Sequence, residues 1–278
     1  MAASAATVLL VDNGSLRPAA VRGLRRLAAA LGRRLGRPVE PVSLQYSDKV
    51  TAAALGGRSA EILEPALRRR AAAGAHDCLI VPLFLGRSQA LTVYLPARVA
   101  HVRRRHPDLR VRLAAPLAAA ADPRLVRLLE AQVRARLTSA FLGGAKARVV
   151  LVDHGSPVRA VTQVRNRLAA QLRRRLGRAV AGVRAASMER RPGPAYAFNE
   201  PLLANLLATP PFNAGPVVVA QLFLLPGRHA GPDGDIAAIV RRARAGSPRL
   251  RVRRTALLGR QPELLNILVS RARAALRD

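Results

Sequence analysis

Two histidines, His154 and His229, occupy positions where side chains could meet a ligand. His154 follows the apolar run Val149-Val150-Leu151-Val152-Asp153 and opens a Gly155-Ser156 turn. His229 follows Val217-Val218-Val219-Ala220-Gln221-Leu222-Phe223-Leu224 after a short Leu225-Pro226-Gly227-Arg228 connection. If both runs are strands of an open parallel sheet, both imidazoles fall at its carboxyl edge, where ligands collect. Strands one and three are commonly neighbours in this winding, so residues 75 apart in sequence can converge above one edge. Taken singly, each histidine also reads as a hydrogen-bonded or solvated turn residue. Taken together they read as a metal site, because two neutral imidazoles with open positions suit first-row divalent ions.

The chain carries this pattern twice and keeps the histidines once. Thr7-Val8-Leu9-Leu10-Val11-Asp12-Asn13-Gly14-Ser15 matches Arg148-Val149-Val150-Leu151-Val152-Asp153-His154-Gly155-Ser156 at an offset of 141. The same offset aligns Leu35-Gly36-Arg37 with Leu176-Gly177-Arg178, and Leu109-Arg110-Val111-Arg112 with Leu250-Arg251-Val252-Arg253. Such self-similarity marks a tandem repeat. The first copy has Asn13, Gln45 and Ser88 where the second has His154, Glu189 and His229. Each exchange removes a metal-binding or titrating group and leaves a polar one. The second copy is therefore expected to do the chemistry, with the first as scaffold.

Strand and helix patterns alternate through both copies. In the first copy, strands are expected near 7–12, 40–45, 77–84 and 109–114, with helices near 19–35, 59–73, 90–105 and 123–137. In the second, strands are expected near 148–153, 180–188, 216–224 and 250–257, with helices near 158–176, 200–208, 234–245 and 262–276. Alternation of this kind implies an α/β fold with parallel sheets covered on both faces. The expected architecture is two similar halves, 1–141 and 146–278, each a four-stranded parallel sheet flanked by helices, with a cleft between them. The boundary is placed in Leu142-Gly143-Gly144-Ala145-Lys146.

A chain of 278 residues, half of them apolar, can bury a sizeable core. No apolar run approaches the roughly 20 residues of a membrane-spanning helix, and no basic leader precedes the first strand, so a cytoplasmic place is expected. The single Cys78 is expected to be a core residue. The formal charge of +31 would suit nucleic acid, whose binding is dominated by phosphate neutralisation. Against that, the arginines are spread over both copies, only Lys49 and Lys146 are lysine, and aromatic residues are too few for base stacking. The charge is read as solvated helix faces and as a field that attracts a small polyanion. His76, His101 and His106 are read as bystanders, and Ser156 as a helix cap or a substrate contact rather than a nucleophile.

Three segments of the second copy resemble the sirohydrochlorin chelatases, the class II tetrapyrrole chelatases, whose long forms are tandem repeats. Leu151-Val152-Asp153-His154-Gly155-Ser156 resembles the family's opening strand. Leu222-Phe223-Leu224-Leu225-Pro226-Gly227-Arg228-His229 with Asp235-Ile236 resembles its apolar strand, basic turn and histidine. Ser187-Met188-Glu189 and Asn199-Glu200-Pro201-Leu202 resemble its acidic strand end and following Glu-Pro. Here Arg190–Phe198 intervenes, which leaves the third ligand as Glu189 or Glu200. Glu64-Pro65 in the first copy is read as the counterpart of Glu200-Pro201, favouring Glu189 as the ligand.

The resemblance implies insertion of Co²⁺ or Fe²⁺, with Ni²⁺ a further candidate, into sirohydrochlorin in cobalamin or sirohaem biosynthesis. It implies His154, His229 and Glu189 as metal-binding and catalytic residues, and no cofactor beyond the metal inserted. A histidine or the neighbouring carboxylate would accept the pyrrole protons. Because the substrate is a polycarboxylate, Arg228, Arg159 and Ser156 are expected to contact it, with Arg87 or Arg17 across the cleft. A non-catalytic tetrapyrrole or metal carrier, and a basic nucleic-acid binder, are the alternative functions.

Overall fold

The computed structural model describes residues 6–119 and 122–277. Strands β1 (Thr7–Asp12), β2 (Val39–Ser43), β3 (Asp77–Pro82) and β4 (Arg110–Leu113) form one sheet, and β5 (Arg148–Asp153), β6 (Gly182–Ser187), β7 (Gly215–Gln221) and β8 (Leu250–Arg254) form another. All pairings are parallel, in the orders β2-β1-β3-β4 and β6-β5-β7-β8. The repeat predicted from the 141-residue offset is thus a repeat of topology, and each strand overlaps the span its apolar run indicated.

The helices are α1 (Pro18–Leu35), α2 (Leu63–Ala72), α3 (Leu95–Arg103), α4 (Arg124–Arg134), α5 (Ser139–Leu142), α6 (Arg159–Leu176), α7 (Leu203–Ala208), α8 (Asp235–Gly246) and α9 (Pro262–Arg277). The central strands are buried from both sides, as their unbroken Val/Leu/Ile composition requires. On one face of the first sheet, Leu9, Val11, Val42 and Ile80 pack with Leu63, Leu67, Leu95 and Val99 of α2 and α3. The second repeats this with Val150, Val152, Val217 and Val219 against Leu203, Leu207, Ile236 and Val240. Cys78 is fully buried, and that burial pushes its thiol up to about 11, leaving an inert core residue.

The compact units are not coextensive with the sequence repeats. Unit 1 is Met1–Ala120 with Pro262–Asp278, and unit 2 is Ala121–Gln261. Each repeat gives its last long helix to the other sheet: α9 packs on α1 and β3, and α4 packs on α6 and β7. In unit 1 the exchange buries Leu264, Ile267, Leu268 and Ala272 of α9, while Arg271 donates to the carbonyl of Pro116 and Arg112 to that of Ala275. In unit 2 it buries Leu125, Leu128, Leu129 and Val133 of α4, and Gln132 donates to the carbonyl of Ala256. The glycine-rich stretch at 142–146 therefore separates the repeats, and the compact units part elsewhere. Among the described residues no helix is long and apolar enough to cross a membrane.

Candidate metal and substrate site

The carboxyl edge of the second sheet gathers the predicted residues. Strand pairing between β5 and β6 runs past the register Asp153↔Ser187: the Met188 amide donates to the Asp153 carbonyl at 2.8 Å, and that of Glu189 to the His154 carbonyl at 3.1 Å. Two side chains 35 residues apart are thereby held side by side, with Nε2 of His154 3.3 Å from Oε1 of Glu189. Gly155 closes the turn at φ +97°, where a Cβ would lie 1.9 Å from the Glu189 carbonyl oxygen. Only glycine fits there, on both backbone conformation and space. Gly14 repeats the geometry in unit 1 at φ +93°, 1.7 Å from the Gln45 carbonyl oxygen. Gln45 is therefore the spatial counterpart of Glu189.

The second imidazole comes from the loop after β7. The Leu222 amide donates to the Val152 carbonyl at 2.8 Å, continuing the β5–β7 pairing. The loop then folds back so that the carbonyl of His229 accepts from the Ile236 amide at 3.1 Å, with Gly234 packed against the His229 backbone. Nε2 of His229 reaches 3.2 Å from Nε2 of His154, and the ring centroids are 4.5 Å apart.

Each ring is held from behind through its Nδ1. Nδ1 of His229 faces Oδ2 of Asp235 at 2.6 Å, and Nδ1 of His154 faces the Gly155 carbonyl at 3.0 Å. Both partners accept, so each Nδ1 can donate to its partner, and in that tautomer each Nε2 is free to bind an ion. In that tautomer the two Nε2 lone pairs face each other and repel unless a cation lies between them. For ligand atoms about 2.0–2.1 Å from one ion, a separation of 3.2 Å corresponds to an angle of about 100° at the metal. That falls between octahedral and tetrahedral geometry. The side chains of His154, Glu189 and His229 are 47%, 58% and 28% exposed, so the group is open to solvent on one side. Among the described residues no set of three or more His, Cys, Asp or Glu side chains forms a ready-made cage. The arrangement here is an open imidazole pair with one carboxylate beside His154.

Glu200 stands apart from that pair. Its Oε1 accepts from Arg190 at 2.7 Å and its Oε2 from the Leu202 amide at 2.8 Å, so it braces the start of α7. The expected match between Glu64-Pro65 and Glu200-Pro201 needs correction. The bridges Ser43↔Ile62 and Ser187↔Leu202 make Pro201 the counterpart of Glu61, and Glu64 lies inside α2, paired with Arg68 and Arg98. Two Glu-Pro dipeptides matched in composition while the backbone register placed them out of step.

Arg159 is exposed, its guanidinium 4.7 Å above the Phe198 ring, and Arg228 is exposed 3.9 Å from Asp235. The Ser156 hydroxyl accepts from the Val158 amide at 3.0 Å, just ahead of α6. In unit 1, Asn13 is exposed and Ser88 Oγ is buried with no partner, and no imidazole reaches that edge among the described residues. His76 is exposed, and His101 packs among Glu64, Arg68 and Arg104.

Beneath the turn lie two groups that no sequence motif singled out, Arg165 and Thr162. Arg165, Asp153, Ser187, Asn199 and Thr162 form a buried polar cluster. Burial raises the Asp153 carboxyl above its ordinary range, against the opposing pull of Arg165 and Ser187. Its unit 1 counterpart, Asp12, lacks an arginine and is pushed up to about 6 by burial. A signal was present: Arg165 sits on the stripe Thr162, Arg165, Leu168, Ala169, Leu172 that α6 buries, a position where an unpaired charge would be costly.

The CbiX family model matches residues 7–136 and again 148–275. No curated protein matches the chain by sequence. Among solved structures, SirB from Bacillus subtilis with Fe³⁺ is 19% identical over 97% of this chain and 95% of that one, with a TM-score of 0.70. The sirohydrochlorin chelatase SirB from Bacillus subtilis subspecies spizizenii, in complex with cobalt, is 18% identical over 98% and 95%, with a TM-score of 0.71. CbiX, described as the terminal enzyme for biosynthesis of sirohaem in denitrifying bacteria, is 21% identical over 97% and 99%, with a TM-score of 0.65. At these identities the likeness is one of fold.

Proposed function

The chain belongs to the CbiX family of sirohydrochlorin chelatases, and we propose that it inserts Co²⁺ or Fe²⁺ into sirohydrochlorin in cobalamin or sirohaem biosynthesis, working in the cytoplasm without a cofactor of its own. The observation that carries the reading is the pair of Nε2 atoms 3.2 Å apart, each ring hydrogen-bonded from behind through Nδ1, with the Glu189 carboxylate 3.3 Å from His154. Neutral nitrogen donors and one carboxylate bind first-row divalent ions without the grip of thiolates, which suits an ion that must be handed on.

In this mechanism His154 and His229 hold the ion through Nε2 while Asp235 keeps the His229 ring in place. Insertion exchanges two pyrrole N–H protons for one dication. Glu189 accepts a proton on a carboxylate oxygen, and an Nε2 vacated by the metal accepts another before both pass to solvent. Arg159 and Arg228 bind substrate carboxylates as guanidinium–carboxylate pairs, and the chain's +31 charge draws the polyanion in. The test is anaerobic incubation of the protein with sirohydrochlorin and either ion, followed by tetrapyrrole absorbance. Catalytic conversion above the protein-free rate is expected. Stoichiometric binding without turnover would identify a carrier instead, and no interaction with either ligand would end the reading.

A further inference from the structure

Behind the edge that carries His154 and Glu189, unit 2 buries a full positive charge. Arg165 is 2% exposed, and Ser187 and Asn199 are wholly enclosed. One guanidinium nitrogen, Nη1, donates to Asp153 Oδ1 at 3.4 Å, to the Ser187 hydroxyl, and to the Asn199 carbonyl at 3.1 Å. Ser187 Oγ in turn donates to Asp153 Oδ1 at 2.7 Å. Nε and Nη2 close on the Asn166 amide oxygen at 3.0 and 2.9 Å. The Asn199 side chain grips the backbone of Ser156 in both directions, at 3.0 and 2.9 Å, and accepts from Thr162 at 3.1 Å. The end of β5, the end of β6, the turn after His154 and the loop after Glu189 are thus tied to one side chain on α6.

A buried ion pair of this kind adds little net stability, since desolvation offsets the attraction. The chain itself contains the comparison. At the offset of 141, unit 1 has Leu24 for Arg165 and Val21 for Thr162. There Asp12 Oδ1 has no partner, and a cavity of about 330 Å³ is lined by Val21, Leu24 and Ser43 among others. The turn is still gripped in both directions, by Ser47 on Ser15 at 3.1 and 3.3 Å. A unit of this fold therefore forms its strands and its turn without the guanidinium. What unit 1 lacks along with it is the set His154, Glu189 and His229.

We propose that Arg165 is the positioning residue of the metal site, holding the ends of β5 and β6 so that His154 and Glu189 keep their mutual distance. The proposal rests on reading His154, His229 and Glu189 as the metal-binding set. Arg165 touches neither metal nor substrate; it acts through the backbone of residues 153–156 and 187–189.

The test uses Co²⁺ alone as the probe, in the full chain, read by its visible absorption and by titration. Three variants are compared with the wild type: Arg165→Leu/Thr162→Val, which installs the unit 1 residues, Arg165→Lys, and His154→Ala. The double variant is expected to fold and to bind Co²⁺ about 10–100-fold more weakly, with an altered absorption band. Arg165→Lys, which keeps the charge but loses the fork, should fall between. His154→Ala should remove the band. Co²⁺ affinity within about twofold of wild type and an unchanged spectrum in the double variant would overturn the proposal while leaving the metal site intact. Failure of the double variant to fold would also overturn it, because unit 1 would no longer be a valid precedent. If the wild type binds no Co²⁺, the metal-site reading itself falls, and the proposal with it.

Discussion

Asp12 offers a direct measurement of what unit 1 gives up by lacking a buried arginine. Its carboxyl rises from 3.8 to about 6, chiefly through burial, with the Ser43 hydroxyl and backbone amides opposing. At about 1.36 kcal/mol per pH unit this is worth about 3 kcal/mol. The native state holds the proton more tightly than the unfolded chain, so between pH 3.8 and about 6 the unfolded state binds fewer protons and stability falls as pH rises. The stability present below the unfolded value is lost by the time pH passes the folded value, after which this group contributes a constant penalty. Asp12→Asn cannot ionise and escapes that penalty. Between about pH 4.5 and 7.5 the variant should gain about 2 kcal/mol relative to wild type. Urea denaturation of both proteins at the two pH values gives the number as a difference of differences, in which the other carboxylates cancel. An effect of Asp12→Asn that is the same at both pH values would refute the reasoning, since the aspartate would then titrate alike folded and unfolded.

The remaining predictions concern the second unit. His154→Ala and His229→Ala should each abolish metal insertion while shifting the melting temperature by only a few degrees, because both rings are partly exposed; Asn13→Ala should leave the rate near wild type, and equal losses from Asn13→Ala and His154→Ala would mean that both edges take part. Glu189→Gln should slow insertion, whereas Glu200→Gln should cost about 1 kcal/mol of stability through its lost contacts to Arg190 and Leu202; a rate loss confined to Glu200→Gln would move the reactive carboxylate there. Asp235→Asn should weaken Co²⁺ binding about 10–100-fold in a calorimetric titration, and unchanged affinity would remove its role in orienting His229. Gly155→Ala, with its Cβ 1.9 Å from a carbonyl oxygen, should destabilise unit 2 by about 2 kcal/mol or more and abolish insertion; a stable, active variant would contradict the turn geometry.

The repeat, the strands and their parallel winding were legible in the residues alone, because each depends on local periodicity and on composition that both copies share. The meeting of His154, Glu189 and His229 at one strand edge was legible too, since the carboxyl ends of neighbouring parallel strands lie side by side. Glu64-Pro65 misled because a dipeptide carries no register, whereas the bridge Ser187↔Leu202 does. Arg165 was hidden among arginines that look alike in a list and differ only in whether the helix face they occupy is buried. The exchange of α4 and α9 was beyond sequence altogether. An amphipathic helix specifies that its apolar stripe must be covered, but two repeated sheets offer nearly the same covering surface. Which sheet each helix meets is settled only when the whole chain is packed and contacts such as Gln132 to Ala256 and Arg112 to Ala275 close.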